Sequence, residues 1–153
     1  MMKRVVVLEN IRSLHNVGAV FRTADGAGWD KVYLCGITGT PPDDRMAKVS
    51  LEAEDFVEWE YVKSCEELCR KLKKDGYSIC ALELTTKSED LLTASPDSSM
   101  ALVLGNEVDG VTPEVLRLCD RFFEIPMRGQ KTSLNVSVAA GVAMYQLSIS
   151  NGQ

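Results

Sequence analysis

Several signatures of common enzyme classes are missing from this 153-residue sequence. It contains neither the Gly-x-Gly-x-x-Gly pattern of ordinary dinucleotide-binding folds nor a Walker-type Gly-Lys-Ser/Thr phosphate loop. It also has no apolar run long enough to span a bilayer, and residues 1–4 lead directly into a strand pattern rather than a secretory signal. These absences disfavour a nucleotide enzyme of either type, and they predict a cytoplasmic protein with no membrane partner.

Residues that bind metal ions are scarce as well. The sequence has one histidine, His15, and five cysteines, at positions 35, 65, 69, 80 and 119. Cys65 and Cys69 lie one helical turn apart, but no second pair or nearby histidine completes a zinc site. We therefore expect no metal, and we interpret the cysteines as reduced side chains that pack in the interior. His15 is interpreted as a hydrogen-bonding loop residue rather than a catalytic base.

The composition is that of one globular domain, with 45% apolar and 25% charged residues. The net charge of −5 by itself argues against a nucleic-acid partner. The acidic excess belongs mainly to residues 51–100, which contain twelve Asp or Glu against six Lys or Arg, whereas residues 1–50 contain five against seven. The two ends of the chain could therefore still build a locally positive site.

Apolar strand patterns alternate with helix signals along the chain. This alternation predicts an α/β fold in which a mainly parallel sheet carries helices on both faces. Six strands are expected, at 3–9, 31–36, 57–62, 78–84, 100–105 and 121–127. Helices are expected after the N-cap residues Asn16, Ser64, Thr112 and Asn135, and an irregular turn is expected at 38–44.

The helix expected after Asn135 is apolar on nearly every side. The core of so small a domain can cover only one face of it, so we expect a second copy of the protein to cover the rest. Ser133 and Asn135 precede the helix, where free backbone N–H groups collect and could bind a ligand. Helix capping alone would also explain both residue types.

Other polar residues follow the predicted strands at 10, 84–86, 105–107 and 127–129. Ligands of parallel sheets bind at these carboxyl ends, so we expect the residues to converge. For Glu107, between two glycines, the alternative is a tight turn with a solvated carboxylate. Arg22 is expected to face away from the core, beside Gly18, which would leave room for a ligand; the alternative is a solvated helix face.

Three segments, in this order, resemble the motifs of one family. Residues 10–28 begin Asn-Ile-Arg-Ser-Leu-His-Asn-Val-Gly, and residues 102–110 read Leu-Val-Leu-Gly-Asn-Glu-Val-Asp-Gly. Ile-Pro-Met at 125–127 is followed by Ser-Leu-Asn-Val-Ser-Val-Ala-Ala at 133–140. Together they resemble the SpoU, or TrmH-like, RNA ribose 2′-O-methyltransferases of the SPOUT superfamily, and they span nearly the whole chain.

The resemblance implies a C-terminal trefoil knot, S-adenosylmethionine as the cofactor and a homodimer formed through the C-terminal helix. The implied reaction is methylation of a ribose 2′-hydroxyl in tRNA or rRNA. The implied catalytic residues are Asn16, Arg22, Glu107, Ser133 and Asn135. The implied cofactor-binding residues are Leu84, Gly105, Ile125, Met127, Ser133 and Leu134.

Because the predicted strands and helices begin near residue 3 and end near the C-terminus, we expect residues 1–153 to form a single SpoU-type domain without an added RNA-binding domain. RNA would then contact basic residues on the dimer surface, and its affinity should decrease with salt. The expected phosphate contacts are Arg12, Arg22, Arg45, Lys48, Arg128 and Lys131. Because a guanidinium stays protonated, we expect Arg22 to act electrostatically rather than as a base.

Three other hypotheses fit parts of the sequence. The chain could be a non-catalytic module of the same fold that binds S-adenosylmethionine or RNA. It could be a different α/β enzyme, such as a small nucleotide- or phosphate-binding protein of flavodoxin-like type, although no Gly-rich phosphate loop follows the first strand. It could also be an α/β domain whose polar loops are only caps and turns, which would make all three motif matches coincidental.

Overall fold

The computed structural model describes residues 2–149, and they contain one seven-stranded sheet. The strands are β1 (Arg4–Glu9), β2 (Lys31–Cys35), β3 (Glu58–Val62), β4 (Ser78–Leu82), β5 (Glu89–Asp90), β6 (Met100–Leu104) and β7 (Arg121–Glu124). Their order across the sheet is β3-β2-β1-β6-β4-β7-β5, and neighbouring strands pair in parallel. The parallel sheet confirms the predicted fold class, but the number of strands is seven rather than six.

Helices cover both faces of the sheet, as predicted. They are α1 (Leu14–Ala27), α2 (Asp44–Ser50), α3 (Cys65–Lys74), α4 (Pro113–Leu116) and α5 (Val136–Gln146). Successive strand residues point to opposite faces, so Val6 and Leu8 pack with α1, α2 and α5, whereas Val5 and Val7 pack with α3 and α4. The interior strand β1 therefore contributes to two separate hydrophobic cores.

Strand β5 and helix α2 were not predicted from the sequence. Strand β5 has only two residues, both exposed and acidic, and it is attached to the sheet edge by Arg121, whose Nε donates to Glu89 Oε2 at 2.9 Å. Helix α2 begins at Asp44, where the expected irregular turn ends, and it lies in a stretch for which no helix was predicted. It begins because the Asp43 carboxylate accepts hydrogen bonds from the amides of Arg45 and Met46. Neither element has the apolar periodicity on which the predictions relied.

The predicted N-cap positions are confirmed at Ser64, Thr112 and Asn135, although the Thr112 side chain makes no capping hydrogen bond. Asn16 is not an N-cap. Helix α1 begins one turn earlier, because Ser13 is its N-cap and accepts a hydrogen bond from the Asn16 amide at 3.1 Å. Asn16 is therefore inside the helix and buried. At α5, the Asn135 side chain accepts bonds from the amides of Ser137 and Val138, as an N-cap residue should.

Gly18 has a different role from the one expected. A Cβ atom at this position would lie 2.5 Å from the carbonyl oxygen of Met46 and 3.2 Å from Cβ of Val49. The glycine therefore permits the close approach of α1 and α2, and it does not leave room for a ligand. Arg22, one turn later, is exposed and faces away from the core, as expected.

The cysteines are free, and four of the five are buried, which agrees with their interpretation as packing residues. Burial raises the pKa of Cys80 to about 11 and that of Cys119 to about 12. Both thiols are consequently protonated at neutral pH. Within residues 2–149, no helix combines the length and the hydropathy that crossing a membrane would require.

Candidate active site at the carboxyl edge of the sheet

The polar segments predicted to converge leave one edge of the sheet. Strand β6 lies between β1 and β4, and β7 lies on the other side of β4. Because all four strands are parallel, the loops that follow them begin at the same edge. These loops are residues 10–13 after β1, 83–88 after β4, 105–112 after β6 and 125–135 after β7.

The Glu107 carboxylate links the loop after β6 to the loop after β1. Its Oε1 accepts a hydrogen bond from the Arg12 amide at 3.1 Å, and its Oε2 accepts from the Ser13 amide at 3.0 Å and from Asn16 Nδ2 at 3.2 Å. An anion at this position also interacts favourably with the N-terminus of α1. Glu107 therefore joins the segments that carry the first two motifs, and it is hydrogen-bonded rather than merely solvated.

These contacts favour the ionised form of Glu107. Partial burial by itself would raise the pKa of the carboxyl group. Hydrogen bonds from backbone amides, including those of Arg12 and Ser13, and from the Asn16 side chain outweigh that effect and lower the pKa of Glu107 below its ordinary value of 4.5. Glu107 is consequently ionised at neutral pH, and both of its oxygens already accept hydrogen bonds.

We expect Glu107→Gln to make folding less sensitive to acid. A carboxyl group with a lowered pKa stabilises the fold above its unfolded-state value of 4.5, and this contribution is lost as the pH falls through the folded-state pKa. Urea unfolding on both sides of that pH should show a shallower loss of stability for the variant than for the wild type. Glu114→Gln, at an exposed site in α4, is the matched control. Parallel profiles for wild type and Glu107→Gln would contradict the prediction.

The turn after β6 is held by Asn106. The Asn106 Oδ1 accepts from the amides of Val108 and Asp109 at 2.9 and 3.0 Å, and its Nδ2 donates to the Asn10 carbonyl at 2.8 Å. The Gly110 amide closes the turn on the Asn106 carbonyl oxygen at 2.9 Å. The turn and the loop after β1 thus have a second link beside Glu107.

The predicted cofactor-binding residues lie in loops that leave adjacent strands or precede α5. Leu84 is 75% exposed although it is apolar, and Leu134 is also exposed. Gly105, Ile125 and Met127 are half-buried, while Ser133 is exposed. Apolar side chains thus remain uncovered at the same edge as the polar groups, which is an arrangement that suits an amphipathic ligand.

The structure does not bring Arg22 together with the other predicted catalytic residues. Arg22 follows Asn16 by about 9 Å along α1, from the rise of 1.5 Å per residue. It lines a surface depression of about 480 Å³ with Tyr145, which lies roughly 15 Å along α5 from Asn135. Within residues 2–149, neither Ser133 nor Asn135 is hydrogen-bonded to Asn16 or Glu107. A single chain therefore pairs Asn16 with Glu107 and places Arg22 elsewhere.

The predicted RNA-binding side chains are all exposed. Arg45 forms an ion pair with Asp43 at 3.1 Å at the beginning of α2. Arg22 and Lys48 lie on the same sheet face, on α1 and α2, and the remaining residues lie in loops at the carboxyl edge. These loop residues are Arg12, Arg128 and Lys131.

Sequence reasoning missed two carboxylates at this edge, Glu9 and Glu83. Glu9 accepts from the amide and the hydroxyl of Thr112 at 2.9 and 2.8 Å, and Glu83 accepts from the Val111 amide at 2.7 Å. In the sequence, each of the two is an acidic residue at the end of an apolar strand pattern, and this was the only indication of a role for either. Such an acid is common at strand ends, so its partner could be identified only from the fold.

Comparisons with known proteins find similarity along nearly the whole chain. Residues 3–145 match the sequence profile of the SpoU rRNA Methylase family. A Staphylococcus haemolyticus protein named for the TrmH family of tRNA/rRNA methyltransferases is 33% identical over 143 residues, which cover 94% of this chain and 57% of that protein. The chain thus spans little more than half the length of that relative.

A second relative and a solved structure resemble the chain equally broadly. The tRNA (guanosine(18)-2′-O)-methyltransferase of Aquifex aeolicus is 31% identical over 146 residues, covering 93% of this chain and 67% of that protein. An AdoMet-bound rRNA methyltransferase from Sinorhizobium meliloti superimposes with a TM-score of 0.87 and 26% identity, covering 94% of this chain and 55% of that one. With a profile match across almost its entire length, the chain belongs to the SpoU rRNA methylase family.

Proposed function

We propose that this protein transfers a methyl group from S-adenosylmethionine to a ribose 2′-hydroxyl of tRNA or rRNA. The principal supporting observation is that Glu107 binds Arg12, Ser13 and Asn16 and so joins the first two family motifs. The ribose 2′-hydroxyl is favoured as the acceptor because the Aquifex aeolicus relative carries the 2′-O designation in its name.

We assign the cofactor to the loops after β4, β6 and β7. The apolar side chains of Leu84 and Leu134 could cover the adenine ring, while the backbone groups near Gly105, Ile125 and Met127 could bind its polar edge. Ser133 could contact the cofactor from the loop before α5. The similarity to an AdoMet-bound rRNA methyltransferase supports this assignment.

We also propose that the C-terminal segment forms the trefoil knot that the family resemblance implies. Strand β7 pairs with β4 on one side and with β5 on the other, so it lies between two strands that are consecutive in the chain. The connection at 83–88 must therefore pass over the end of β7, from which residues 125–135 continue. This inserted strand supports the threading.

S-adenosylmethionine, when bound, supplies the electrophilic methyl group that the ribose oxygen attacks, with loss of the hydroxyl proton and departure of the sulfur. The protein must align the ribose and stabilise the charge that develops on its oxygen. Arg22 suits the second task, because its guanidinium stays protonated and can bind a phosphate or an oxyanion. A phosphate oxygen or water would then accept the proton. Asn16, oriented by Glu107, suits the first task.

We propose that two copies associate through α5. One stripe of α5 at helical spacing contains Val138, Gly141, Val142 and Tyr145. Within it, Val138 is 52% exposed and Tyr145 is 54% exposed. Arg22 lines a depression beside Tyr145, so pairing at this stripe would bring Arg22 towards the other copy. The catalytic group that one chain leaves incomplete could thus be completed by the partner.

Val138→Glu is expected to weaken this association, because it would bury a charge in an apolar interface. Sedimentation velocity across a dilution series should show a dimer for the wild type and a shift to monomer for the variant. Phe56→Glu is the matched control, since Phe56 is 81% exposed but lies between α2 and β3 in the chain and not on α5. A monomeric wild type, or an equal shift in both variants, would contradict the interface.

The function is tested by methyl transfer to RNA from cells that lack this gene. Labelled S-adenosylmethionine is supplied, and the RNA is digested to nucleosides to locate the label. We expect label on the ribose, and none after 2′-deoxy substitution at the modified nucleotide. Label on a base would contradict ribose specificity. Cofactor binding without transfer to any cellular RNA would favour the non-catalytic module.

A further inference from the structure

Glu9 and Glu83 hold the loop after β6 from its two sides. Glu9 ends β1 and Glu83 follows β4, and these strands flank β6. Each carboxylate accepts a hydrogen bond from one of two successive backbone amides in the loop after β6. Glu83 accepts from Val111 at 2.7 Å, and Glu9 accepts from Thr112 at 2.9 Å.

The alternation of the strands explains why both carboxylates reach the same segment. Side chains two residues apart share a face of a strand, so Glu9 points to the side of Val5 and Val7. Glu83 likewise points to the side of Ile79 and Ala81. All four apolar residues belong to the core that also contains Val111. Glu9 and Glu83 therefore enter the α3 and α4 side of the sheet together.

The backbone conformation of the loop after β6 leaves space for the Glu83 carboxylate. Gly110 has φ +74°, a conformation that L side chains rarely adopt, and a Cβ atom there would lie 2.5 Å from Glu83 Oε1. Val111 is buried, and Glu9 is only 5% exposed. Loss of either carboxylate would leave a donor in a largely dry environment without its partner.

We propose that Glu83 and Glu9 are positioning residues for methyl transfer, a role that rests on the proposed function. They hold residues 110–112 in place by hydrogen bonds. These residues contact Gly105 directly, since a Cβ at Gly105 would lie 2.2 Å from Gly110 C and Val111 N. By fixing residues 110–112, the two carboxylates keep the Gly105 backbone beside the cofactor and keep Glu107 hydrogen-bonded at the N-terminus of α1. Neither residue needs to contact the substrate.

Glu83→Ala is the sharper test of the two substitutions. Glu83 is half-buried, whereas Glu9 is almost fully buried, so removing the Glu9 side chain would disturb the core more. In the ligand-free protein, amide hydrogen exchange at Val111 and Thr112 should become at least about tenfold faster. The dissociation constant for S-adenosylmethionine, measured by calorimetry, should rise about tenfold. With an active RNA substrate, KM for the cofactor should rise more than kcat falls. These changes follow from losing one hydrogen bond to a charged acceptor.

Two further variants separate positioning from a general loss of structure. Glu83→Gln keeps an oxygen that can accept from the Val111 amide, so it should restore most of the affinity. Glu114→Ala removes an exposed acid two residues beyond Thr112 and should match the wild type in exchange and affinity. The melting temperature of every variant is measured alongside these properties.

The outcomes distinguish this role from the function on which it rests. If the wild type binds no S-adenosylmethionine, the proposed function is wrong and the positioning role is overturned with it, although exchange still reports whether Glu83 holds the loop. If the wild type binds and Glu83→Ala binds equally well, only the positioning role is overturned. Unchanged exchange at Val111, or no rescue by Glu83→Gln, would also overturn it.

Discussion

Replacing Arg22 with alanine is expected to lower the rate of methyl transfer by about 100-fold or more, the usual effect of removing one group that stabilises developing negative charge. The affinity for S-adenosylmethionine should stay within about twofold, because the proposed cofactor site does not include Arg22. The same loss is expected whether Arg22 acts in its own chain or in the other copy, since every copy carries the substitution. The largest effect should therefore appear in the chemical step.

Single-turnover kinetics at saturating RNA and cofactor would measure that step. Arg22→Lys separates charge from geometry, because lysine keeps the charge but lacks the planar fork of the guanidinium. A lysine variant that keeps more than about 10% of the wild-type rate would favour a simple charge effect over fork-specific contacts.

The matched control for Arg22 is Arg70→Ala. Arg70 is also an exposed helical arginine, but it lies on α3 on the opposite face of the sheet and pairs with Glu66 at 2.7 Å. This variant should methylate RNA at the wild-type rate. Arg22 would be excluded from the proposed site if Arg22→Ala retained wild-type single-turnover rates with RNA bound.

Gly105→Ala is expected to destabilise the fold by about 3 kcal/mol, at the upper end of ordinary overpacking effects. The new Cβ would meet the backbone at 2.2 Å from both Gly110 C and Val111 N, and at 2.6 Å from the Gly110 carbonyl oxygen. These are backbone atoms, so no flexible side chain can move aside. The turn could move away only by breaking its bonds to Asn106 and Glu83.

Urea unfolding followed by circular dichroism would measure this loss of stability. Gly129→Ala is the matched control, because a Cβ at Gly129 meets nothing within 4 Å and needs no left-handed backbone conformation. We expect the control to change the free energy of unfolding by less than about 0.5 kcal/mol. If Gly105→Ala were as stable as Gly129→Ala, that result would contradict the close contact between Gly105 and the backbone of residues 110–111.

The central strands could be predicted from the sequence because they are buried on both faces. Strand β1 has the continuous run Val5 to Leu8, and β6 is buried throughout, which is the pattern of parallel strands. Strand β5 could not be predicted in this way. Its two acidic residues are exposed, and they form a strand only because β7 and Arg121 offer them partners.

The site was predicted less completely than the fold, because its key contacts join distant parts of the chain. Ser13 and Asn16 are both suitable N-caps, and the sequence does not decide between them. Once Ser13 caps α1, Asn16 is free to bind Glu107, which lies 91 residues away. Glu83 was missed for a related reason, since it binds a backbone amide whose place depends on the turn at Gly110.

The position of β1 inside the sheet, between β2 and β6, has a consequence for how the protein folds during synthesis. Val5 can pair with Lys31 early, but its other partner is Ala101, which leaves the ribosome 96 residues after it. Until then one side of an apolar strand has no partner, and such edges promote aggregation. A chain that stopped before β6 would be a poor folding unit, and the complete chain should fold slowly for its size.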